Sequence, residues 1–305
     1  MSATILRKPA LTAAAVLLLA TACAALTPAA TRLGTAALHG LHDLLSMSGH
    51  PGQMSPVHVV LVAAVLFLAG VVSGLAGFAF SAVAAGILWL LPPLQAVPLI
   101  MLLSACNQLL SIGKLRHEMA IWSSADCEGA LPYIVGGLAG VPLGVALLRA
   151  LPPDLIAGGL GAFLVVYAFA MLLMPGCLRI GACGRMTAVA VGALGGVVGG
   201  FSGFGASALV VYLGLRGANK SVTRGITQPY IFTMQLVSLA ALAATEPAVF
   251  DAFFWFLWAL ALPAVLLGSN TGVALYHHLN DRNFRRAVLL LLIASGASLI
   301  AKSMI

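Results

Sequence analysis

The chain has 305 residues, of which 61% are hydrophobic and only 8% charged, with a mean hydropathy of +1.08. A soluble globular domain carries about 25% charged residues, so this composition excludes a soluble enzyme and predicts an all-α polytopic membrane protein. The 15 basic residues outnumber the 8 acidic ones, but nearly all of them lie between apolar runs, so they report topology rather than nucleic-acid binding.

Arg7 and Lys8 precede an apolar run over 10–26 that ends near Pro28. It reads either as a secretory signal, with small residues at 20–22 as the cleavage region, or as an uncleaved first span, because about 17 residues can just cross a bilayer. Both readings place residues 31–56 outside. That polar segment holds His39, His42, Asp43 and His50, with His58 just beyond. Imidazole and carboxylate ligate transition metals, but the spacing matches no established site, and a solvated linker is the plainer reading. Residues 1–56 are therefore set apart from the membrane unit. Cys23, Cys106, Cys127, Cys177 and Cys183 form no Cys-x-x-Cys pair and no zinc spacing, so they read as small apolar packers.

Ten apolar elements follow. The first five lie at 57–75, 77–91, 94–113, 129–148 and 155–174, the second five at 187–198, 204–215, 226–244, 252–276 and 287–301. Several fall short of the roughly 20 residues that a spanning helix needs. The two sets are copies. Gly70, Val71, Val72, Gly74, Gly77, Phe78, Ser81 and Ala82 recur 126 positions later as Gly196, Val197, Val198, Gly200, Gly203, Phe204, Ser207 and Ala208. Gly140, Gly144 and Leu151 return 128 positions later as Gly268, Gly272 and Leu279. The reading is two homologous helical repeats, 57–176 and 187–305, each opening with a glycine-broken helix pair.

Charge tests the parity of this count. With a cytoplasmic N-terminus and alternating crossings, twelve basic residues fall inside (Lys114, Arg116, Arg216 and Arg224 among them) and three, Arg32, Arg149 and Lys302, outside. That is a strong positive-inside bias. Fusing each broken pair into one crossing would move Lys114 and Arg116 across and spoil it. Each pair therefore crosses twice or enters and leaves by one face. Five elements per copy is odd, so the copies are expected to be inverted.

Broken backbone at membrane depth is tolerated only inside protein or beside water. Paired, glycine-broken segments in two inverted halves point to a transporter site near the midplane. Helices starting after the breaks would aim N–H groups and a positive dipole end at an anion. Gly74, Gly77, Gly200 and Gly203 are the candidates to shape the site, with Ser81 and Ser207 one turn in as hydroxyl donors. Tight helix packing is the plain alternative for one such motif; its recurrence in both copies favours a site. Asn107 and Gln108 sit centrally in the third element as further candidate contacts, and Gln235 matches Gln108 at a shift of 127. Interhelical hydrogen bonding is the plain alternative for these. The expected spans contain no Asp, Glu, Lys or Arg, so a carboxylate proton relay has no carrier. No hydrolytic constellation and no ATP-binding motif occurs. Neither a cofactor nor a metal site is expected.

These features resemble the TauE/SafE family. The resemblance rests on the two glycine-broken repeats and on the Pro92-Pro93-x-x-Ala96-Val97-Pro98 turn. It rests also on the polar helix ending Gly113-Lys114-Leu115-Arg116, and on the Gly140, Gly144, Leu147, Leu151 pattern, and it covers about residues 57–304. It implies a multi-pass permease of the bacterial inner (plasma) membrane that exports sulfite or related organosulfonates, so its partners are a small anionic substrate and the lipid bilayer. The first break departs from the family pattern, reading Gly77-Phe78-Ala79-Phe80-Ser81 where a run of glycines is usual, so the two half-sites are expected to be unequal. Two other readings compete: a divalent-metal exporter using the histidine segment, and a non-transporting membrane scaffold or assembly protein.

Overall fold

The computed structural model describes residues 56–76, 79–115, 129–173, 184–218, 220–276 and 281–304. The signal-or-span segment, the histidine segment and Gly77 lie outside the described residues. Among those described, all regular structure is helical. The order is α1 (Pro56–Ala76), α2 (Phe80–Ala84) continuing as a 3-10 helix (Ala85–Trp89), α3 (Pro93–Leu115), α4 (Leu131–Ala150) and α5 (Pro153–Leu173). It continues with α6 (Arg185–Ser202), α7 (Ala206–Leu215), α8 (Lys220–Thr245), α9 (Ala252–Tyr276) and α10 (Asp281–Ser303). Proline opens α1, α3 and α5, where its missing N–H costs nothing and its fixed φ suits a first turn. Asp154 lies in the first turn of α5, where a carboxylate complements the helix dipole. Among the described residues, four helices are long and apolar enough by themselves to cross a bilayer: Leu131–Ala150, Arg185–Ser202, Val222–Thr245 and Ala252–Ala274.

Three helices start earlier than the apolar runs suggested. α6 begins at Arg185, α8 at Lys220 and α10 at Asp281, against expected starts at 187, 226 and 287. Reading by hydropathy stops at the first charge; the backbone hydrogen-bond ladder does not. The expectation that no basic residue enters a span therefore needs correcting, because Arg224 lies within the apolar segment Val222–Thr245. A long basic side chain near a helix end is tolerated there because its charged head can reach toward the interface.

Glycine seams hold the helices together. A Cβ built on Gly136, Gly140 or Gly144 of α4 would lie 1.9, 2.1 or 2.3 Å from the carbonyl oxygens of Val189, Ala193 and Val197 in α6. Reciprocally, Gly192 and Gly196 of α6 meet the Tyr133 and Gly137 oxygens at 2.1 and 2.2 Å. Only glycine lets two backbones come this close. A second seam joins α1 to α9. Gly70 and Gly74 meet the Val265 and Ser269 oxygens at 2.5 and 2.2 Å, and Gly268 and Gly272 meet those of Phe67 and Val71 at 2.3 and 2.1 Å. In both seams the residue numbers rise together, so each pair of helices is parallel. α5 and α10 pack the other way. Gly158 lies against Ser303, while Gly161 and Gly296 each meet the other's carbonyl oxygen at 2.6 Å, so this pair is antiparallel.

These contacts bear on the path of the broken pairs. Arg149, at the end of α4, pairs with Glu246, just past α8, at 2.7 Å. With α5 and α8 each crossing once, the two residues share a face only if α6–α7 returns to the face it entered. Likewise, with α3 and α4 also crossing once each and α6–α7 returning, α1 runs parallel to α9 only if α1–α2 returns. Length agrees: the ten residues of α2 with its 3-10 extension, and the ten of α7, reach roughly 15–18 Å, about half the hydrocarbon thickness. Lys302 Nζ donates to the Leu88 carbonyl, and Trp89 Nε1 donates to Ser298 Oγ at 3.2 Å, joining the ends of α2 and α10 on one face.

Candidate functional site

The second break is built by α6 running out of helix at a glycine. Gly203 takes a left-handed conformation (φ 74°) and its N–H donates to the Gly199 carbonyl at 2.8 Å. Ser202 Oγ donates to the Val198 carbonyl at 2.6 Å and accepts from the Phe204 N–H at 3.2 Å. Ser207 Oγ donates to the Phe204 carbonyl at 3.1 Å. The break thus satisfies much of its own backbone, and the Ser207 proton is directed at protein rather than outward. Phe204 is buried and fixed by α5: its ring meets Tyr167 edge-on at 5.4 Å and Phe163 at 6.4 Å between centroids.

The break faces α3 and α2. A Cβ on Gly203 would lie 3.3 Å from Met101 Cγ, 3.6 Å from Ile100 Cγ2 and 3.8 Å from Ser81 Oγ. Ser81 and Gly203, from opposite halves, are therefore neighbours. Further along α3 the same face turns polar. Ser104, Asn107 and Gln108 are all buried. Asn107 Nδ2 donates to Ser73 Oγ of α1 at 3.0 Å. Gln108 Nε2 donates to Gln235 Oε1 of α8 at 3.2 Å and lies 3.4 Å from Ser104 Oγ. From Met101 to Gln108 this stripe is roughly 10 Å long. The other two candidate glycines have different surroundings: Gly74 sits in the α1–α9 seam and Gly200 in the α4–α6 seam, against Val141 and Gly144.

The family described as sulfite exporter TauE/SafE matches residues 62–299, which is most of the helical unit. The chain belongs to that family. Neither the curated proteins nor the solved structures compared with it gave a match. Membership makes this TauE/SafE chain a multi-helix membrane protein of a transporter family.

Sequence reasoning about this TauE/SafE chain singled out Gln108 and noted its counterpart Gln235, but not that the two amides touch. The matching shift of 127 was the available signal. The aromatic clamp of Phe163 and Tyr167 on Phe204 carried no signal, because aromatics in an apolar helix are commonplace. Among the described residues no group of three His, Cys, Asp or Glu side chains could hold a metal ion; the histidine segment lies outside them. The four described acidic residues, Asp154, Glu246, Asp251 and Asp281, each sit at a helix end or in the turn before one.

Proposed function

We propose that this chain is an exporter of small sulfur-containing oxyanions, such as sulfite or an organosulfonate, in the inner (plasma) membrane of a bacterium. The observation that carries the reading is the buried line of uncharged hydrogen-bonding side chains, Ser104, Asn107 and Gln108 with Gln235 opposite, running from the Gly203 break through the helical interior. Neutral donors can replace an oxyanion's hydration without trapping it as a fixed buried cation would. In this reading residues 57–176 and 187–305 are inverted copies, which the two parallel seams and the antiparallel α5–α10 contact support. Export needs no buried carboxylate: an anion leaving a negative interior gains roughly 2.3 kcal/mol per charge per 100 mV.

The test is efflux of labelled sulfite from proteoliposomes, with and without an imposed potential, against protein-free vesicles. Protein-dependent efflux that accelerates with outward drive on the anion is expected. Efflux from folded protein that ignores the potential would remove the uncoupled mechanism, and absence of efflux would remove sulfite as the substrate.

A further inference from the structure

α8 carries a second line of polar groups that the break does not explain. At 3.6 residues per turn, Arg224, Gln228, Gln235 and Ser238 fall within about 80° of one another around the helix and spread over roughly 21 Å of its length. Gln228, Gln235 and Ser238 are buried, at 3%, 3% and 0% exposure. Among the described residues, three polar atoms on this line are enclosed with no hydrogen-bond partner: Arg224 Nε, Gln235 Nε2 and Ser238 Oγ. Each can donate a proton. Buried donors are almost always satisfied, and leaving one open costs about 1–3 kcal/mol, so a row of three calls for an acceptor that enters. Gln108 Oε1, across from Gln235, is likewise enclosed and open.

We propose that this face of α8 is the anion path: Arg224 collects the oxyanion at the cytoplasmic end, and Gln235 and Ser238, opposite Gln108 of α3, coordinate it deep in the membrane. The proposal rests on the exporter reading and names the groups that would bind its substrate. The positive-inside count puts Arg224 on the cytoplasmic side, where its charge favours entry without sitting at the deepest point. There the anion meets only uncharged groups. Its arrival would replace the 3.2 Å bond between the two glutamines, a bond that links the halves of the chain, so occupancy and the contact between halves are coupled. The open acceptor Gln108 Oε1 suits an oxyanion that keeps a proton and therefore donates as well as accepts.

The decisive variant is Ser238→Ala. Its hydroxyl makes no bond, so a purely structural role predicts no change on removing it. Purified full-length protein would be compared with Ser238→Ala, Gln235→Leu, Arg224→Gln and Arg224→Lys, by melting in detergent and by sulfite transport in proteoliposomes. Unliganded Ser238→Ala should melt with the wild type and yet raise KM for sulfite about tenfold or more, the scale of one hydrogen bond to a charged group. Arg224→Gln should raise KM similarly, and Arg224→Lys should recover most of it. If the wild type moves sulfite while all four variants keep its KM within about twofold, the path is wrong and the exporter reading stands. If the wild type moves no sulfite, melting shifts with sulfate, phosphate, thiosulfate and nitrate decide. An anion that stabilises the wild type but not Ser238→Ala supports the path and removes sulfite; no stabilisation by any of them overturns the path as well.

Discussion

Substituting Gly196 by alanine puts the α4–α6 seam under direct test. The added Cβ would lie 2.2 Å from the Gly137 carbonyl oxygen and 2.8 Å from its Cα, and real Cβ contacts essentially never fall below 3.0 Å. The helices must therefore separate locally by at least 0.8 Å, the difference between 3.0 and 2.2. No flexible side chain can yield, because both contact atoms are backbone. Overpacking of this kind costs roughly 1–3 kcal/mol, against a gain of up to about 1 kcal/mol from replacing glycine by alanine in a helix. At the full gain the net expectation is a loss of roughly 0–2 kcal/mol, centred near 1. Gly159 of α5 is the internal control: nothing lies within 4 Å of its Cβ position, so Gly159→Ala should be neutral or stabilising by about 0.5–1 kcal/mol. Both proteins would be purified in the same detergent and melted in parallel. The prediction is a difference in sign. A Gly196→Ala protein that melts at or above the wild type, as Gly159→Ala should, would refute the argument that backbone contact sets the seam.

Gly203→Ala forces a side chain into a left-handed residue 3.3 Å from Met101 Cγ; it should cost about 1–2 kcal/mol and lower flux, and a melting point equal to the wild type's would remove the strain argument. Phe204→Ala deletes a ring held by Tyr167 and Phe163 and should cost about 3–5 kcal/mol, read from the same melts. Single cysteines replacing Arg149 and Glu246 should react with an impermeant thiol reagent from one side of the membrane, and a cysteine at Arg216 from the other; labelling of 149 and 246 from opposite sides would mean that α6–α7 crosses once. Breaking the exposed Arg149–Glu246 pair by Glu246→Ala should change stability by no more than about 1 kcal/mol, and a larger loss would show that the pair anchors more than its own geometry suggests.

Helix number and order were legible because glycine and proline punctuate this chain and the charges are few. The seams were half legible. Gly140 and Gly144 and their counterparts Gly268 and Gly272 stand out as a repeat, but nothing in the sequence says that α4 takes α6, or α9 takes α1, as its neighbour. The helix starts at Arg185 and Lys220 were hidden because hydropathy measures transfer to lipid, whereas the helix continues wherever the backbone can bond to itself. Arg224 was left out of the candidate residues for that reason alone. The Ser73–Asn107 contact needs two helices to be placed in depth and rotation, which a one-dimensional pattern does not encode. Ser207 shows the opposite case: its position matched Ser81, but local geometry turns its proton onto the Phe204 carbonyl.

The seams also decide what a half of this protein is. α4 finds its backbone neighbour in α6, and α1 finds its own in α9. A cut between α5 and α6 therefore severs both seams and the α5–α10 contact together. Each fragment would keep five of the described helices and lose the surface that each of three was shaped to meet. Neither half should fold as an autonomous unit, because the two trade their closest backbone contacts. Co-expressed as separate polypeptides they should assemble by the same glycine faces, while either one alone presents an unfilled groove in the bilayer.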